Sequence, residues 1–128
     1  MTMLVLDSGA VSMLAERSKQ ALALIRAFRR EGLWPPLVPS PVLVECLTGD
    51  GRRDAPTNQF LKACDVREEL PVETARRAAR LRTKARRGSV IDALVVATVE
   101  PGWTVLTTDS DDITALASWT TGVNVEAI

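Results

Sequence analysis

Short β-rich runs that alternate with longer helical stretches set the tightest limit on how this chain can fold. "MLVL" at residues 3–6, "LVPS" at 37–40, "TVLTTD" at 104–109 and "GVNVEAI" at 122–128 read as strands or short extended pieces. Between the first two, "SGAVSMLAER" and "KQALALIRAFRREG" read as two helices, the second ending at Gly32. "PVLVECLT" predicts a helix with Ser40 at its cap and Pro41 in its first turn. Residues 71–87, rich in Ala, Arg and Leu, predict a long helix. "SVIDALVVATV" is apolar enough for a buried helix, although its valines also suit a strand, and "SDDITALASW" predicts a short helix. "GDGRRDAPTN" at 49–58 predicts a mobile surface loop leading into a helix over 59–63. Strands and helices alternating in this way imply an α/β sandwich around a mostly parallel sheet.

A chain of 128 residues, 46% of them hydrophobic, suffices for one domain with a real core and is short for two, so residues 1–128 are expected to form a single unit. No secretory leader is recognisable, and no stretch approaches the ~18 uninterrupted apolar residues of a membrane span, so a soluble, cytoplasmic protein is expected. Cys46 and Cys64 lack metal-ligand spacing, and Cys46, within "VLVECL", reads as a small buried hydrophobe rather than a disulfide partner. The chain contains no histidine, which removes Ser-His-Asp and Cys-His nucleophilic schemes and every zinc site that requires His. Hydrolysis would have to rest on carboxylates, hydroxyls or a bound metal. Formal net charge is zero, so attraction to a polyanion must come from a local patch.

Four acids sit in apolar surroundings. Asp7 follows "LVL" and Asp109 follows "TVLTT", which places both at the carboxyl ends of strands, the edge where open parallel sheets bind ligands. Each could equally be the N-cap of the helix that follows. Glu45 interrupts "PVLVECLT", and Asp92 is the only charged residue between Arg87 and Glu100. Glu45 could lie on an exposed face and Asp92 could cap its helix after Gly88 and Ser89. Gathered together, such carboxylates would repel, by roughly 4 kcal/mol for unit charges ~4 Å apart at an effective dielectric of about 20. A divalent cation converts that repulsion into a binding site, and all-oxygen ligation selects Mg2+ or Mn2+. Such an ion can polarise a phosphoryl oxygen and acidify a bound water without histidine.

"LVLDSGA", "PVLVECLTG", "GSVIDALVVATV" and "VLTTDSDDI", in this order, resemble the acidic motifs of PIN-domain ribonucleases, especially VapC-like toxins of type II toxin-antitoxin pairs. The resemblance runs over essentially the whole chain. It implies a Rossmann-like three-layer α/β/α PIN fold and an acidic centre of Asp7, Glu45, Asp92 and Asp109, with Asp7 and Asp92 as direct metal ligands. It also implies Mg2+- or Mn2+-dependent endoribonuclease activity through a metal-activated water, products with 5'-phosphate and 3'-hydroxyl ends, a homodimer, and neutralisation by a small cognate antitoxin.

Asp111 and Asp112 complicate the last motif. Asp112 reads as an acid in the first turn of the next helix, favoured by the helix dipole, while Asp111 is open between that role and a fifth place in the centre. Ser8, Thr107 and Thr108 are hydroxyls beside the motifs, able to orient a ligand or water or to be ordinary turn and strand residues. "RRAARLRTKARR" at 76–87 carries seven positive charges in twelve residues. On a helix, Arg76, Arg80 and Lys84 share a stripe with Arg77 beside it, and Arg87 ends the run shortly before Asp92. This face is either an RNA-backbone rail or a solvated surface partly paired with Glu73. Three Trp, two Phe and no Tyr argue against a base-stacking platform, and Trp34 and Trp103 read as packing residues.

Two functions from different classes fit: a metal-dependent endoribonuclease toxin, and a catalytically silent PIN-like module that binds nucleic acid or a regulatory partner. Phosphotransfer through Asp7 fits less well, because Gly9 stands where a haloacid-dehalogenase-type site needs a second Asp. A P-loop is absent.

Overall fold

The computed structural model describes residues 2–128. The first strand, β1 (Leu4–Leu6), is wholly buried and forms the middle of a five-stranded parallel sheet. β2 (Leu37–Pro39) and β4 (Thr104–Thr107) flank it, and β3 (Asp65–Arg67) and β5 (Asn124–Ala127) are the edges, giving the order β3-β2-β1-β4-β5. Val5 pairs with Leu37 on one side and Val105 on the other, and Leu6 pairs with Leu106. Because every pair is parallel, all five strands end on the same edge of the sheet.

Chain order then fixes the layers. From β1 out to β3, right-handed crossovers carry α1 (Ser8–Ala15), α2 (Lys19–Arg30), α3 (Leu43–Cys46) and α4 (Gly51–Leu61) on one face. The return past β1 to β4 carries α5 (Val72–Ala85) and α6 (Val90–Thr98) on the other, and α7 (Ser110–Ala117) joins them. Accordingly α1 touches α2, α3 and α4, while α5, α6 and α7 touch one another. This is the three-layer α/β/α sandwich expected from the sequence. The direction of travel reverses between β1 and β4, and in such sheets the crevice at that switch point receives the ligand.

Helix α6 shows how context overrides propensity. Val90, Ile91, Val95, Val96 and Thr98 favour a strand locally. A capping box decides otherwise: Asp92 N–H donates to Ser89 Oγ (3.0 Å) and Ser89 N–H to Asp92 Oδ2 (3.1 Å). Ala93, Leu94, Val95, Val96 and Ala97 are then buried around the turn. Trp34 packs edge-on to Phe60 and Trp103 is buried, as expected of packing residues. Cys46 and Cys64 are free, half-buried thiols; burial above all pushes them up to about 11 and about 12, which keeps both protonated.

Two local expectations are corrected, and one strand is present where the sequence suggested no element. Residues 51–58 of the supposed loop belong to α4, which runs on into the helix expected from residue 59, because Asp50 caps it through the Arg52 and Arg53 amides (2.9 and 3.2 Å). Buried Asp54 holds the preceding turn by accepting from Thr48 N–H, Thr48 Oγ1 and Gly49 N–H. Pro56 costs α4 one backbone bond without breaking it. Ser40 caps nothing: residues 40–42 form a 3-10 turn, and its hydroxyl donates to Glu68 O at 3.3 Å. Finally, β3 has no alternating signal of its own; it exists through pairing with β2, Val38 opposite Val66.

One close approach sets the entry of α1. A Cβ on Gly9 would overlap Thr108 Oγ1 just past the end of β4. Gly9→Ala is expected to lower stability by about 1–3 kcal/mol, the usual cost of overpacking, read as a fall in Tm or in the denaturation midpoint. An unchanged midpoint would show that α1 and β4 are not locked at this contact.

Candidate metal centre

At the switch point the carboxyl ends of β1 and β4 lie side by side, and each is followed by an acid. Asp7 N-caps α1, with Oδ1 accepting from Ala10 N–H at 2.8 Å, and Oδ2 accepts a short hydrogen bond from the Thr107 hydroxyl. Thr107 Oγ1 in turn accepts from Asp109 N–H at 2.8 Å. One hydroxyl therefore ties the two acid-bearing strand ends together. Capping and a place in the crevice, alternatives from the sequence, coincide in Asp7.

Asp7 is only 3% exposed. Burial raises its carboxyl above the ordinary carboxylate range despite the pull of Thr107 and Ala10, and the charges of Asp92 and Asp109 raise it further. Asp109 stands at the N-cap position of α7 without a full side-chain capping bond, although the Asp112 amide is near enough to pull its carboxyl down. Its partial desolvation, and then the charges of Asp112 and Asp92, raise it as well. Asp92, on the first turn of α6, is half-buried and commits Oδ2 to the Ser89 amide.

Asp92, Asp109 and Asp112 each offer a carboxylate oxygen, and these oxygens lie within 4.8 Å of one another. Asp112, which the sequence marks only as a helix-dipole acid, occupies the first turn of α7 and also belongs to this group. Asp111, open on sequence grounds, is exposed and outside it. Helical period explains the choice, since residues three apart share a face and residues two apart do not. Glu45 is exposed on α3 and is not part of the trio; its charge is felt at Cys46, whose thiol also feels Asp7. Ser8 lends its carbonyl to the Cys46 thiol at 3.6 Å.

The donor set fits a hard divalent cation. It consists of carboxylate oxygens alone, with no softer ligand in the trio. Oxygens on opposite sides of Mg2+, each at about 2.1 Å, stand about 4.2 Å apart, so the 4.8 Å envelope closes with small side-chain rotations. The like charges that raise Asp7 and Asp109 are those a cation would neutralise.

The basic helix is largely committed. Arg80 pairs with Glu73 at 3.2 Å, Lys84 lies over the Trp119 ring at 5.5 Å, and Arg77 donates to Val99 O and Thr120 Oγ1. Arg76 is exposed. Arg87 Nε donates to Asp112 Oδ1 at 2.6 Å, and so reaches the acid cluster itself.

A parallel sheet in this order, covered on both faces, with acids at its switch point, is a PIN-domain-like fold. The solved VapBC2 complex from Rickettsia felis, bound to a DNA fragment from their promoter, contains a chain similar to this one. The two superpose with a TM-score of 0.70 at 12% sequence identity, over 99% of each chain. At the level of sequence, no family model and no curated protein matches the chain.

Removing the buried charge tests these electrostatics. An acid whose folded pKa lies above its unfolded value contributes stability at low pH and loses it as pH rises through the folded pKa. Asp7→Asn is therefore expected to raise Tm at pH 7, with the gain shrinking as the pH falls through the raised value towards 3.8. A Tm that falls at pH 7 would mean that the Asp7 hydrogen bonds outweigh its desolvation.

Proposed function

We propose that this chain is a divalent-cation-dependent endoribonuclease, the toxin of a type II toxin-antitoxin pair. The observation that carries the reading is the group of three carboxylates within 4.8 Å beside a buried fourth, at the switch point of a PIN-like sheet. The likeness in fold to a chain of a VapBC complex supports it, and the lack of histidine leaves metal-assisted hydrolysis as the chemistry at hand. In this reading residues 1–128 act as one domain that works as a homodimer in the cytoplasm, is held in check by a small antitoxin, and leaves 5'-phosphate and 3'-hydroxyl ends. No helix among the described residues is long and apolar enough to cross a membrane.

Asp7 and Asp92 are the direct ligands in this reading, and Asp109 and Asp112, whose oxygens lie within 4.8 Å of that of Asp92, would complete the ion's surroundings. Glu45, whose charge reaches the neighbouring Cys46, keeps its place in the acidic centre as part of the proposal. A bound Mg2+ or Mn2+ would neutralise the scissile phosphate and make a water acidic enough to attack. The protein's own groups do the rest. Thr107 fixes the orientation of Asp7 and of the Asp109 backbone at once. Asp109 offers its carboxylate from the start of α7, aligned by the Thr107 hydroxyl that receives its backbone amide. Asp92 is held at its angle by the Ser89 amide.

The alternative, a PIN-like module that binds without cutting, draws on the Arg87–Asp112 pair, which gives one acid of the cluster a structural partner. Two measurements separate the readings. Purified protein with Mg2+ should cleave cellular RNA at mappable ends, and excess chelator or Asp7→Asn should reduce the rate by roughly 10²–10³-fold or more. In the same buffer, Mg2+ should raise the Tm of the wild type but not of Asp92→Asn/Asp109→Asn. Cleavage that survives chelation would reject the mechanism, and RNA binding without metal-stimulated cleavage would favour the silent module.

A further inference from the structure

Helix α5 has two basic flanks, and they differ in what already occupies them. On the flank towards Trp119, Arg77, Arg80 and Lys84 are engaged by Val99 and Thr120, by Glu73, and by the indole ring. On the other, Arg82 and Arg86 have no carboxylate partner among the described residues. They line a cleft of ≈ 280 Å³ together with Thr83, Arg87 and Gly88. Three guanidinium groups thus surround one concavity, and among the described residues the single acid paired with any of them is Asp112, through Arg87.

The backbone that builds this cleft is unusual. Arg86 ends α5 in the left-handed region (φ 54°), its N–H donating to Arg82 O at 2.9 Å. Gly88 follows at φ +91°, and a Cβ there would come within 2.7 Å of Leu116 Cδ1 on α7. The chain therefore turns tightly against α7 between these two residues and delivers Arg87 to Asp112. A non-glycine in the left-handed region is strained by its own Cβ. Here it projects a third arginine towards the cleft rather than letting α5 run on.

We propose that Arg82, Arg86 and Arg87 form a subsite for a backbone phosphate of the RNA, adjacent to the acid cluster and kept in register with it by the Arg87–Asp112 contact. The proposal rests on reading that cluster as a nuclease centre. It moves the polyanion contact away from the Arg76, Arg80 and Lys84 stripe that the spacing suggests. Guanidinium groups suit the task because their planar forks can each give two hydrogen bonds to phosphate oxygens. Arg87 then has a dual position, one side on Asp112 and the other on the bound strand, so it is a positioning residue for the scissile phosphate.

The test uses Asp7→Asn protein, to suppress cutting, and a fluorescein-labelled 2'-O-methyl RNA stem-loop followed by anisotropy across a salt series. Adding Arg82→Gln/Arg86→Gln is expected to weaken binding and to reduce the slope of log K against log salt by about 1 for each phosphate no longer neutralised. Arg76→Gln/Arg80→Gln should change both much less, with far-UV circular dichroism confirming that each variant is folded. Equal losses in the two pairs, or no loss in Arg82→Gln/Arg86→Gln, would overturn the assignment. So would competition by millimolar inorganic phosphate that is the same in both pairs. With Asp7 restored, the Arg82→Gln/Arg86→Gln enzyme should show a raised KM and a preserved kcat; a fall confined to kcat would overturn it. If the intact protein cuts no RNA, the nuclease reading fails while the anisotropy series still decides the subsite.

Discussion

A carboxylate taken out of water is costly unless it is hydrogen-bonded, and Asp7 makes two such bonds that organise the molecule around it. One oxygen caps α1 and the other accepts from Thr107, a hundred residues later in the chain. Thr107 also receives the Asp109 amide, so a single short chain of hydrogen bonds joins β1, α1, β4 and the start of α7. That linkage needs β1 and β4 to be parallel neighbours with their ends level, which the pairing of Leu6 with Leu106 provides. The reversal of chain direction between them makes this edge the switch point of the sheet, and the acids gather beside it.

The same arrangement sets stability against chemistry. At the switch point four acids accumulate, and among the described residues the one arginine paired with any of them is Arg87 on Asp112. Burial and mutual repulsion raise Asp7 and Asp109, so the folded protein is less stable at neutral pH than it would be without those charges. A hard cation placed among these carboxylates would offset that cost. Sites that are costly in isolation and favourable when filled are a common result of concentrating like charges for function.

The basic helix α5, packed against α6 and α7, shows why charge counts mislead. Judged by spacing, the Arg76, Arg80 and Lys84 stripe is the natural contact for a polyanion. In the fold two of these three already have partners, while Arg82, Arg86 and Arg87 meet where α5 ends and the chain turns against α7. A helical wheel ranks positions by angle; it cannot register that Glu73 and Trp119 have taken two of them.

Where an apolar run stops at an acid, the sequence alone spoke clearly. Asp7 and Asp109 end buried strands, and a parallel α/β arrangement puts such ends on one edge, so their neighbourhood follows from local pattern and general topology. The helices over residues 72–85 and 110–117 follow likewise from composition, and the one over 90–98 from its capping box. Other features had no local signal. Residues 51–58 look like a loop until Asp50 and Asp54 are seen closing the turn before them, and β3 is a strand only because β2 lies beside it. Asp112 rather than Asp111 joins the cluster because of the rotation of α7, and Glu45 stands outside the trio because α3 packs on α1, away from the paired α6 and α7. Local hydrogen bonds and burial are encoded within a few residues, so sequence determines them. Which charges finally meet depends on how whole helices are rotated and docked, and that is settled only when the core packs.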